Sequence, residues 1–272
     1  MKTDRPSAAP QSTARVLLNK VPEVTLYFWI IKILATTVGE TIADYLTATL
    51  GFSLNSASIT VGGLLIAILI AQFRAIRCIA PAYWSAVVLI SVAGTLITDN
   101  MVDEYGVSLW TTTAIFSVAL AGTFAVWFAV QRTLSIHSIT SNRREGFYWL
   151  AILFTFALGT AAGDLLAESV GLGFATSAVI FAAAIAAITV AHLKFGLNGV
   201  LAFWLAYILT RPLGASIGDY LSQAPADGGI GLGTTATSGL FLAAIAATVA
   251  YLTITKRDVE TAHDDHALEH ST

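Results

Sequence analysis

The chain has 272 residues, of which 56% are apolar and only 11% charged, with a mean hydropathy of +0.75. A soluble domain of this size could not hide so much apolar surface, so the composition excludes an ordinary globular fold and points to a polytopic membrane protein. The net charge of −3 excludes little because the charges are segregated along the chain, and the single cysteine, Cys78, excludes an internal disulfide and reads as a small apolar side chain.

Residues 1–20 are rich in Ser, Ala, Pro and Thr and carry Lys2, Arg5, Arg15 and Lys20. They read as a flexible cytoplasmic tail rather than a cleaved signal, since the first apolar run starts only near Val24 and outlasts a signal peptide. Stretches of the length a helix needs to cross a bilayer follow at 22–47, 55–76, 82–103, 108–132, 146–168, 173–194, 199–222 and 234–255. The expected fold is all-α, with eight transmembrane helices in a membrane domain over 21–257. Residues 258–272 form an acidic, His-containing tail, read as solvated, whose His and carboxylate groups could hold a divalent metal only weakly.

Of the fourteen Lys and Arg residues, Lys32 and Arg211 fall inside helices and the other twelve on the side of the termini. The positive-inside bias makes that side cytoplasmic.

Trp29, Trp84, Trp149 and Trp204 each stand fifteen residues before an aspartate, namely Asp44, Asp99, Asp164 and Asp219, and ten before Gly39, Gly94, Gly159 and Gly214. The chain is thus a fourfold repeat, with units near 22–76, 82–132, 146–194 and 199–255. Each unit is an out-and-back hairpin, so the four Trp-bearing helices run parallel and the repeats are related by an axis along the membrane normal. Gly51, Gly106 and Gly171 mark the hairpin turn, twenty-two residues after their Trp; the fourth copy carries an insertion around Pro225. The aromatic pairs at each Trp read as an interfacial belt.

Positions three, seven, eleven and fifteen after the Trp share one helical face. They read Lys32-Thr36-Glu40-Asp44, Val87-Ser91-Thr95-Asp99, Ile152-Phe156-Thr160-Asp164 and Tyr207-Arg211-Ala215-Asp219, with Asp103, Glu168 and Gln223 one turn further out. Small-xxx-small pairs beginning at the four glycines flank this stripe and allow close helix approach, which would gather the stripes around a shared interior.

Ionisable groups inside a bilayer are costly and mark pathways, so Asp44, Asp99, Asp164, Asp219 and Glu40 are the candidate ion-binding residues, the four aspartates also as metal ligands. Lys32 and Arg211 are candidate internal counter-charges, and Thr36, Thr95, Thr160, Tyr207, Asp103 and Glu168 candidate polar lining. Two alternatives stand beside this: the aspartates reach headgroups or cap the return helices, and Lys32 snorkels to the interface instead of pairing with an acid. Pro212 should kink or loosen its helix below Asp219.

The fourfold two-helix unit with one such tryptophan per copy resembles a family of bacterial inner-membrane proteins built from four tandem repeats and carrying no assigned function. The resemblance covers about 22–255 and implies an eight-helix layout in the bacterial inner membrane, with no substrate or binding residues. No enzymatic motif is present. The expected function is a transporter for a small inorganic cation, with Mn²⁺ as one candidate, coupled to an ion or proton. A cation channel and a non-transporting scaffold or sensor are the alternatives. No cofactor is expected beyond a bound cation; the expected partners are the lipid bilayer and a small cation or proton, not nucleic acid, with homo-oligomerisation left open.

Overall fold

A computed structural model of the protein describes residues 19–255. The 258–272 tail, and the 1–20 lead up to residue 18, lie outside the described residues. Among the described residues there are eight helices long and apolar enough to cross a membrane, and no strand. They are α1 (Leu26–Asp44), α2 (Leu54–Arg74), α3 (Ala80–Asp99), α4 (Leu109–Gln131), α5 (Asn142–Asp164), α6 (Phe174–Phe195), α7 (Gly199–Ser222) and α8 (Thr234–Thr255).

Local chemistry explains where they start and turn. Ser53, Ser108 and Ser141 cap α2, α4 and α5 by accepting from backbone N–H groups three residues on, and Asn198 caps α7 by accepting from Val200 and Leu201. Gly51, Gly106 and Gly171 have φ of 70°, 67° and 78°, a left-handed conformation that a side chain would strain, which is why the turn repeats as glycine. In the first three copies the outgoing helix continues past its aspartate as a π-turn, over Tyr45–Thr49, Asn100–Glu104 and Leu165–Ser169. The inserted fourth copy has none; α7 stays α-helical through Pro212 to Ser222.

The outgoing helices α1, α3, α5 and α7 form a closed ring, each packed on the next and α7 back on α1. One rule of contact repeats at all four joints: the glycine ten residues after a Trp abuts the residue seven after the next Trp. Gly39 meets Ser91, Gly94 meets Phe156, Gly159 meets Arg211, and Gly214 meets Thr36. A methyl group at any of these glycines would overlap its neighbour, so the absent side chain is what allows the close approach.

The return helices form an outer layer, and each leans on the outgoing helix of the following repeat: α2 on α3, α4 on α5, α6 on α7, and α8 on α1. Their outward faces expose Ile59, Val118, Leu193 and Ile254, as suits lipid contact.

Asn19 and Thr255 lie on one face, here called proximal; the Gly51-type turns are distal. Near the proximal end the ring is filled by aromatic side chains. Phe28, Tyr83, Tyr148, Trp84, Trp149 and Trp204 are all buried, so three of the four repeat tryptophans are interior groups rather than an interfacial belt. The outer helices shield them from lipid, and Trp204 Nε1 donates to Leu134 O at 2.9 Å.

Candidate functional site

The polar stripes of the four outgoing helices face the ring axis and stack in layers. At the middle, Arg211 is fully buried. Its Nη2 lies 2.7 Å from Glu40 Oε2 and 2.7 Å from Thr160 Oγ1 and also meets Thr95 Oγ1, its two N–H groups shared among the three oxygens, while Nη1 donates to Thr36 O at 3.3 Å. One guanidinium from the fourth repeat therefore engages the residue eleven past the Trp in each of the other three. The fourth repeat has only Ala215 at that level, leaving room on the axis, and Gly159 admits the arginine stem.

Glu40 is the anion that this buried guanidinium requires, since arginine cannot shed its proton and has no aromatic cradle closing on its charge in so dry a setting. Its carboxylate is nearly buried, yet it also forms the floor of a distal cavity of about 180 Å³. Asp44, Asp99, Asp164 and Asp219 line the same cavity, with Asp103, Glu168 and Gln223 nearer its mouth. Gln223 Nε2 donates to Asp44 Oδ2 at 3.2 Å. Asp219 is buried and the other three aspartates are half-buried, whereas Asp103 and Glu168 are exposed. All four repeat carboxylates thus converge on one polar vestibule roomy enough for several waters.

Among the described residues, no three His, Cys, Asp or Glu side chains are grouped as a metal site. Asp44, Asp99, Asp164 and Asp219 come from four separate helices and line one cavity. One sequence expectation changes here: Lys32 neither snorkels nor pairs with an acid among the described residues. It is fully buried, its Nζ lies 3.3 Å from Thr210 Oγ1, and the rings of Phe156 and Tyr207 face it with centroids 4.3 and 4.2 Å away.

Thr36, Thr95, Thr160 and Tyr207 sit in the packed layers below the vestibule rather than on its walls. Thr98 lines the vestibule and was not foreseen; its hydroxyl donates to Ala157 O at 3.0 Å, which ties α3 to α5. Thr210 lies one residue off the stripe and is legible only once Lys32 is placed.

A second buried ion pair lies at the proximal end. Lys20 Nζ donates to Glu145 Oε2 at 2.7 Å, to Asn142 Oδ1 at 3.0 Å and to Phe73 O at 3.1 Å. Lys20, expected in a flexible tail, is instead buried and straps the end of α2 to the start of α5. Glu145 follows Arg143 and Arg144 in the sequence, so nearby charges hid its need for a distant partner.

Neither curated proteins nor solved structures give a match to this chain. The family model described as a Repeat of Unknown Function (DUF347) matches four times in succession, over residues 27–77, 82–133, 147–196 and 202–258. With each match covering one of the two-helix units that build the ring, the chain belongs to the DUF347 repeat family.

Proposed function

We propose that this protein is a secondary carrier for a small inorganic cation, coupled to a proton or second ion, with the vestibule as its distal receiving site. The observation that carries the reading is the double role of Glu40, which lines the vestibule and holds Arg211 at 2.7 Å. A cation or proton that reaches Glu40 competes with the guanidinium for the same carboxylate. Occupancy of the vestibule is thereby linked to the state of the plug beneath it, and a ligand that favours one arrangement over another shifts their populations.

The axis below Glu40 favours a carrier over a channel. Arg211, Lys32 and the buried Tyr83 and Tyr148 occupy it, which supports a closed axis below the vestibule. Five axial carboxylates against two axial cations make the vestibule cation-attracting. Carboxylate oxygens are hard ligands that suit a monovalent cation, a proton or a divalent ion such as Mn²⁺. The location proposed is the bacterial inner membrane with the proximal face cytoplasmic, supported by the Lys and Arg residues gathered there.

Reconstitution into proteoliposomes tests this. Saturable rubidium or manganese uptake that depends on an imposed pH gradient, and is lost in Asp44→Ala and Asp219→Ala protein that still folds, is expected. Unitary currents in planar bilayers would replace the carrier with a channel. Absence of any flux from well-folded protein would leave a scaffold or sensor.

A further inference from the structure

Lys32 has a complete set of partners of an unusual kind. An ammonium group has three N–H directions. Here they meet a hydroxyl oxygen, Thr210 Oγ1 at 3.3 Å, and two aromatic faces, Phe156 and Tyr207, with ring centroids 4.3 and 4.2 Å from Nζ. Thr210 Oγ1 donates its own hydrogen to Tyr207 O at 2.7 Å, which leaves its lone pairs for the cation. Among the described residues, no carboxylate lies within ion-pair distance of Lys32, although it is fully buried. Ring faces attract cations through their negative quadrupole, most strongly where water is excluded. Phe156 also faces the second axial cation, with its centroid 5.8 Å from Arg211 Cζ, so one ring serves both.

Both aromatic residues break the repeat. Phe156 occupies the position held by Thr36, Ser91 and Arg211 in the other copies, and Tyr207 the position held by Lys32, Val87 and Ile152. Packing alone needs no ring at either place, since three copies pack without one at each. The rings stand where a cation stands.

We propose that Phe156, Tyr207 and Thr210 form a second, inner cation site, built for a primary ammonium or an ammonium-sized monovalent cation, which Lys32 fills as a tethered occupant. Its role as a station on the translocation path rests on the carrier reading above; the site itself does not. While the tether is seated, a free cation finds the station taken, which prevents leak between the vestibule and the proximal face. A mostly apolar groove of about 600 Å³ at α1, α6 and α7 has Thr210 among its lining residues, which brings it to one member of the site.

The test uses Lys32→Ala in the purified full-length chain. That change removes three methylenes and the ammonium, the size of n-propylammonium, and leaves the rings and hydroxyl in place. Thermal unfolding in detergent micelles is followed while n-propylammonium is titrated, with n-propanol as the neutral control. The expected result is a saturable rise of several degrees in the Lys32→Ala midpoint. The wild type should need at least tenfold more propylammonium for any equal rise, propanol should be inert, and Lys32→Ala/Phe156→Leu should lose the response. An equal effect of propanol, or no response in folded Lys32→Ala, overturns the proposal. If Lys32→Ala survives extraction only with an additive, propylammonium must be the one that works, and failure of both additives overturns it too. Because the readout is stability, rescue without rubidium flux would keep the inner site and remove the carrier, and flux without rescue would do the reverse.

Discussion

Glu40 and Arg211 stand 171 residues apart in the chain and 2.7 Å apart in the bundle, the first and fourth repeats joined across the axis by one ion pair. That contact closes the ring chemically as the helices close it sterically. It also places Glu40 on the wall of the vestibule, so the stability of the bundle and the lining of that cavity depend on the same ion pair.

Removing one partner should cost far more than removing both. Glu40→Gln leaves a buried guanidinium without its anion, with an expected loss of about 3–5 kcal/mol, whereas Glu40→Gln/Arg211→Met should recover most of it. Denaturant or thermal unfolding of the three proteins in micelles checks this. A single variant as stable as the wild type would show that the pair does not bear the load assigned to it.

The glycines at the joints should respond unequally to one added methyl. Gly39→Ala and Gly214→Ala drive a Cβ into Ser91 and Thr36, and overpacking of this kind costs about 1–3 kcal/mol. Gly62→Ala, on the outer helix α2 with nothing within 4 Å, should be neutral. Comparing unfolding midpoints of the three variants decides the point.

The proximal strap gives a separate prediction. Lys20→Met leaves Glu145 buried without its cation, so a loss of about 3–5 kcal/mol is expected. Hydrogen exchange over residues 19–25 should accelerate, because Lys20 is what anchors that segment to Phe73, Asn142 and Glu145. Unchanged exchange would mean that the segment is held instead by its backbone hydrogen bonds to Ile139, Cys78 and Gln72.

Asp103 and Glu168 are exposed at the vestibule mouth and should act at long range. Neutralising both should slow cation uptake at low ionic strength and leave it unchanged near 1 M salt, where the screening length falls to about 3 Å. Asp219→Asn, deep in the cavity, should impair uptake at both. A rim variant insensitive to salt would separate those two residues from the pathway.

Much of this architecture could be read from residue order, because its causes are local. A span needs about twenty apolar residues, a left-handed turn needs glycine, and residues four apart share a face. The convergence of Asp44, Asp99, Asp164 and Asp219 was legible for a related reason: the same stripe beside the same glycine in every copy leaves a symmetric ring as the natural packing. Lys32 was harder. An aromatic residue three or seven places after a tryptophan carries no mark saying whether it will face lipid, a neighbour or a cation, and Phe156 and Tyr207 come from different repeats, with Lys32 in a third.

The sequence by itself determined eight spans, four parallel hairpins and a line of carboxylates on each outgoing helix, since periodicity and hydropathy act within a segment. Only the tertiary structure decided that α8 closes on α1, that Arg211 reaches into three other repeats, that three of the four repeat tryptophans turn inward and that Lys32 settles between two rings. Those outcomes depend on how closely glycine-bearing helices approach and on which side chains then share a dry interior, a balance of sterics and charge that no single segment contains.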